Sequence, residues 1–177
     1  LGGPVKNIVF RNSTIQGHYA MAAGSEMSGG VDGIYMYNCH APIKVKSGIF
    51  IKSSRRRGGY IKNVFVKDVH INKSDMALSI IPNYDGDTVA QYPPKFSNIH
   101  FKDVYVNSTK NSIQVFGWPD AITENVTFNN VHIGDSENGL LMNYVDSISL
   151  RSSSINKKKY DEVFTKIEKN LLPPEQN

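Results

Sequence analysis

Cysteine occurs once, at Cys39, so an intrachain disulfide and a Cys-rich zinc site are both excluded. Cys39 itself reads as a small buried hydrophobe. No run reaches the roughly 18 consecutive apolar residues that a membrane helix needs. The interior has no segment of helical periodicity long enough to bridge two strands. Acidic residues are outnumbered: the net charge is +4 and the pI near 9.1. This surplus permits an anionic partner without requiring one. The basic residues are scattered and lack interleaved stacking aromatics, which speaks against nucleic acid. No secretory signal is visible, and the sequence starts at Leu1 rather than at a methionine.

What the chain does have is a repeat. VKNIVFRNSTI, VDGIYMYNCHA, IKNVFVKDVHI, FSNIHFKDVYV, TENVTFNNVHI and VDSISLRSSSI begin at residues 5, 31, 61, 96, 123 and 145. Their shared pattern is x-x-Asn-apolar-x-apolar-x-Asn/Asp-x-x-apolar. The apolar positions alternate at period two, as in a strand with one buried face. Shorter strand-like runs lie between the copies: YAMAA, GIFIK, MALSII, SIQVF and GLLMN. Strand and turn repeated in this way predict an all-β fold, a solenoid of about six coils. At one rung per coil the column is on the order of 25–30 Å long. Asn7, Asn63, Asn98 and Asn125 then fall one above another and are expected to form an amide ladder. Gly33 and Ser147 interrupt it.

The ends are read differently. Val163, Phe164, Ile167 and Leu171 have helical spacing, so a short helix is expected over Asp161 to Leu172, lying across the last coil and stopping before Pro173. The division is thus a β-helix over residues 1–160 and a helix and tail over 161–177. Leu1-Gly2-Gly3-Pro4 offers no cap to the first repeat. The chain reads as the later coils of a longer solenoid, with a native end covered by a partner as the alternative.

Three stretches carry a resemblance to a known family: Gly17-His18 followed by GSEMSGGV, then GIFIKSSRRRGGYIKNV, then VFGWPDAITENVTFNNVHI. In that order and on this period, they resemble the C-terminal half of glycoside hydrolase family 28, the polygalacturonases and their relatives. The likeness runs from about residue 3 to 155. It implies a right-handed parallel β-helix with a groove along one sheet. It also implies hydrolysis of glycosidic bonds in acidic pectic polysaccharides with inversion, without a cofactor or metal. The family's catalytic aspartates come from an Asn-Thr-Asp motif and an Asp-Asp pair, and neither occurs in residues 1–177. A chain of these residues alone is therefore expected to be inactive. A pectic substrate implies a secreted or periplasmic protein.

His18, Lys52 and the arginine turn follow from the same resemblance, while Glu26, Tyr84 and Trp118 are read from their places in turns and beside the groove. His18 matches the histidine of a Gly-His-Gly motif, with Tyr19 in place of the second glycine, and is the catalytic candidate. It would tune the protonation of neighbouring acids; a hydrogen-bonded histidine at a coil bend is the alternative. Lys52 matches the lysine of an Arg-Ile-Lys motif and is expected to pair with a substrate carboxylate. Phe50 stands where that motif has arginine, which removes a bidentate clamp. Of Arg55-Arg56-Arg57, before Gly58-Gly59, Arg57 is the favoured substrate contact. Glu26 is either an acceptor for sugar hydroxyls or a turn stabiliser. Tyr84 is either a platform for a sugar face or an exposed loop aromatic. Trp118 is expected to pack a turn.

Two other functions compete. A non-catalytic carbohydrate-binding or structural solenoid is consistent with the missing aspartates. A pectate lyase would need a cluster of acids for calcium, and Asp85 and Asp87 are too isolated to form one.

Overall fold

The computed structural model describes residues 3–86 and 89–168. It consists of strands and turns only. The strands are β1 (Val5–Thr14), β2 (Tyr19–Ala23), β3 (Val31–Lys52), β4 (Tyr60–Ile81), β5 (Lys95–Phe116), β6 (Glu124–Asn143), β7 (Val145–Ile155) and β8 (Lys158–Ile167). They pair in the order β1-β3-β4-β5-β6-β7-β8, and β2 also pairs with β3. Every pairing up to β7 is parallel. The six repeats are thus stacked in register, and the chain is a parallel β-helix.

Strands of 20 to 22 residues wrap around a core only if they bend. The bends fall on the two Asn/Asp positions of the repeat. Asn7, Asn63, Asn98 and Asn125 have φ between 50° and 59°, and Asn12, Asn38, Asp68, Asp103 and Asn130 lie between 51° and 55°. Left-handed backbone costs most L-residues about 1–2 kcal/mol, and Asn and Asp tolerate it best. Gly33 occupies the first bend of its rung at φ 87°. A Cβ there would sit 3.0 Å from the Asn7 Oδ1, so glycine serves both the conformation and the close approach.

The amide ladder forms over Asn63, Asn98 and Asn125 and continues to Asp32, and among the described residues no side-chain bond extends it to Asn7. Asn125 donates to Asn98 Oδ1 (3.0 Å), Asn98 to Asn63 Oδ1 (3.2 Å) and Asn63 to Asp32 Oδ1 (2.7 Å). Asp32 reaches in from one residue earlier and fills the position left by Gly33. At the other bend the contacts are two separate pairs, with Asn38 donating to Asn12 (2.8 Å) and Asn130 to Asp103 (2.7 Å).

Inward residues stack as apolar columns. Ile8, Ile34, Val64, Ile99, Val126 and Ile148 form one, and Phe10, Met36, Val66, Phe101, Phe128 and Leu150 another. The Phe101 and Phe128 rings lie 5.0 Å apart and nearly parallel, at 2°. Members from β3 onward are buried, whereas Ile8 and Phe10 in β1 are 40% and 37% exposed.

The expected C-terminal helix is not formed over 161–167; residues 169–172 of that prediction lie outside the described residues. Instead β8 runs antiparallel to β7. Asn156 (φ 49°) and Lys157 (φ 67°) make the two-residue turn between them, the combination of a type I′ hairpin. The physical reason lies in β7, whose free edge offers a row of backbone donors and acceptors that a strand satisfies and a helix does not. The helical spacing was produced by a bend: Lys166 is left-handed at φ 54°, which turns Ile167 inward along with Phe164 and Tyr160.

Candidate functional site

Strands β2, β3 and β4 end side by side, with Ala23 opposite Ile51 and Ile51 opposite Ile80. The turns that follow are therefore brought together. Residues 53–59 fold back on themselves, with Gly58 N–H donating to Ser54 O (3.0 Å) and Arg57 N–H to the same carbonyl (3.1 Å). A Cβ at Gly59 (φ 76°) would lie 2.0 Å from Met27 O, so this turn packs directly on the one after β2. Ser28 Oγ then donates to Arg57 O at 2.7 Å.

Lys52 is the centre of the cluster. Its ammonium lies 4.8 Å from the Tyr84 ring centroid, 5.0 Å from Phe50 and 5.6 Å from Tyr19. Three ring faces around one cation hold it by their quadrupoles, each contact being worth about 0.5–1 kcal/mol at exposed sites. Phe50, which replaces a clamping arginine, is thus part of the cage. Tyr84 is set against Lys52 by its own backbone, whose N–H donates to Ser53 O (3.1 Å), and the residue remains 40% exposed.

The other expected residues fall nearby but in different arrangements. Arg57 and Glu26 form an ion pair at 2.8 Å, so each has the other as a partner. Both are well exposed, which makes the pair a weak stabiliser. His18 is exposed at the opposite end of β2, and its carbonyl accepts from Lys46 N–H (2.8 Å). Its ring meets Tyr19 edge to face at 4.7 Å. His18 therefore borders the Lys52 cage through Tyr19, one of its three rings. Among the described residues no carboxylate lies within ion-pair distance of His18, and no group of three or more His, Cys, Asp or Glu residues can hold a metal ion.

Sequence reasoning missed the second cation–ring pair. The Arg55 guanidinium lies 5.1 Å from the Trp118 ring and makes a two-pronged ion pair with Asp120, both N–O distances being 2.8 Å. The Arg55 hydrogen bonds hold the Asp120 carboxyl below the usual carboxylate range. Trp118 does pack a turn, and its indole N–H also donates to Pro82 O (3.2 Å) on the loop that carries Tyr84. The only sequence clue was an arginine-rich turn and a distant Trp-Pro-Asp turn.

No family model matches the chain. It is 30% identical over 138 residues to a protein described as a probable polygalacturonase of Vitis vinifera, covering 75% of this chain and 28% of that protein. Its fold is similar to the crystal structure of a hyperthermoactive exopolygalacturonase from Thermotoga maritima. The TM-score there is 0.80 at 22% identity, over 96% of this chain and 38% of the other. The chain thus spans roughly a third of the length of the relatives it matches. The parallel rungs stacked in register and the match to that crystal structure make the fold a parallel β-helix similar to that of a polygalacturonase. Over the part of those relatives that it spans, the chain is glycoside hydrolase family 28-like.

Proposed function

We propose that this chain supplies the substrate-binding wall of a glycoside hydrolase that cleaves acidic pectic polysaccharides with inversion. The observation that carries the reading is the Lys52 cage. It is a half-exposed ammonium fixed among Tyr19, Phe50 and Tyr84, in a chain 30% identical to a probable polygalacturonase. A fixed cation favours a uronate carboxylate over its neutral ester through a charge-assisted hydrogen bond. Exposed ring surface on Tyr84 suits the apolar face of the same sugar. A six-coil right-handed helix would present this wall along its side, and a pectic substrate goes with a secreted or periplasmic setting.

The acid and base come from elsewhere in this reading. Inverting hydrolysis needs two carboxyl groups, commonly about 6.5–9.5 Å apart, one of them protonated. Near Lys52 the carboxylates of Glu26 and Asp120 are each already paired with an arginine, and the Arg55 hydrogen bonds hold Asp120 below the usual carboxylate range. That pairing also supports the second reading, a wall that binds sugar without cleaving it. Reducing-sugar release from polygalacturonate separates the two. The 177-residue chain is expected to release none. A protein that adds the Asn-Thr-Asp and Asp-Asp coils is expected to release product of inverted configuration, read by NMR of the anomeric proton. Turnover by the chain alone overturns the assignment of the chemistry to those acids. No turnover by the longer protein favours the binding-only reading.

A further inference from the structure

We propose that Arg55 is the positioning residue of this wall: it fastens two neighbouring loops so that Tyr84 stays over the Lys52 ammonium. The side chain of Arg55 is only 13% exposed, unusual for an arginine in a surface turn. Its guanidinium is engaged on several sides at once. Nη1 and Nη2 each donate to one Asp120 oxygen at 2.8 Å, Nε donates to Ala90 O, and one face lies toward Trp118. Asp120 and Trp118 belong to the turn after β5, and Ala90 to the loop after β4. Trp118 closes the circuit by donating to Pro82 O, two residues before Tyr84. Arg55 thus holds the Tyr84 loop at two points, directly at Ala90 and through Trp118 at Pro82, while standing three residues from Lys52 itself.

The geometry requires arginine. A planar fork can satisfy a carboxylate with two parallel bonds while its Nε reaches a third acceptor and its face stacks on an indole. Lysine has the charge and none of that shape. The consequence is a division of labour: Lys52 meets the substrate, and Arg55, whose donors are taken up within the protein, sets where Lys52 points.

The proposal rests on Lys52 being the carboxylate-binding residue, so its test has one readout that needs no substrate. An amine-reactive acetylating reagent is applied and modification at Lys52 is followed by peptide mass mapping. Tyr84→Ala gives the rate for an ammonium that has lost the Tyr84 ring and keeps the other two. Arg55→Ala and Arg55→Lys are expected to raise the Lys52 rate several-fold, to that of Tyr84→Ala. Asp120→Asn, at a more exposed position, is expected to raise it part of the way. It decides the matter if the Arg55 variants do not fold. Trp118 is the single tryptophan of the chain, so its emission should shift in all three variants.

The second readout is affinity for an oligogalacturonate. Arg55→Ala should weaken it in the otherwise unchanged protein and have no further effect in a Lys52→Ala background. A Lys52 labelling rate that is unchanged in Arg55→Ala and Asp120→Asn overturns the proposal, as does additivity of the Arg55 and Lys52 losses. If labelling responds as expected but the unsubstituted chain binds no oligogalacturonate, Arg55 stands as the positioning residue and the substrate reading of Lys52 fails.

Discussion

Replacing Asn98 by alanine tests the rung-by-rung construction at one atom group. Asn98 sits in the middle of the amide ladder, donating to Asn63 Oδ1 at 3.2 Å and accepting from Asn125 at 3.0 Å. Its backbone is left-handed, at φ 54°. Alanine removes two hydrogen bonds of about 0.5–1.5 kcal/mol each and must hold a left-handed conformation that costs it about 1–2 kcal/mol. The expected loss is therefore about 2–5 kcal/mol. Glycine loses the same bonds but adopts the conformation freely, at an added chain-entropy cost of about 0.5–1 kcal/mol. Asn98→Gly should accordingly be about 0.5–1 kcal/mol milder than Asn98→Ala. Urea titrations followed by circular dichroism give both values, with the comparison restricted to variants whose m-value is unchanged. Alanine no worse than glycine, or both within about 0.5 kcal/mol of the parent, would refute the argument that the repeated asparagines are needed for bend and ladder together.

Further outcomes follow from other parts of the column. Phe128→Ala empties a fully buried site stacked on Phe101 and should cost about 3–5 kcal/mol in the same titration. Lys157→Gly relieves the left-handed second position of the β7–β8 turn and should raise stability by up to about 1 kcal/mol, read as a higher urea midpoint. Asp32 is held low chiefly by its bond from Asn63, Asp75 by Lys44 and Asp120 by Arg55. A carboxyl whose folded pKa is depressed contributes stability above its unfolded pKa and loses it as pH falls through the folded one. Melting temperature should therefore drop below about pH 4. His100, whose pKa is lowered by burial, acts in the same direction from about pH 6.5 downward, and His100→Gln should flatten that upper part of the profile.

The stacking was legible because a solenoid writes one structural unit repeatedly. Asn7, Asn63, Asn98 and Asn125 each mark a bend that only a few residue types tolerate, so period and chemistry coincide. The departures come from residues that act out of phase. Asp32 enters the ladder from the neighbouring position, which no alignment of the repeats predicts. Residues 161–167 carry apolar side chains at helical spacing because a left-handed Lys166 rotates the strand, an effect invisible in a hydrophobic pattern. At the site, Lys52 was named from its motif and Tyr84 from its place after a groove strand, and the structure brings them into contact. Arg57 and Glu26 were named separately, and they meet each other. His18, before β2, touches the cage only through Tyr19. The Arg55–Asp120 pair joins residues 65 positions apart, on turns set side by side by stacking, and no local signal in either turn announces the other.

The most direct test of the account is calorimetric binding of an oligogalacturonate, compared with its fully methyl-esterified form, to the chain and to Lys52→Ala. The account predicts preference for the free acid in the parent. Lys52→Ala should lose affinity for the acid by about tenfold or more, the size of one charge-assisted hydrogen bond, with little change for the ester. Equal losses for acid and ester, or a parent chain that does not distinguish them, would contradict it.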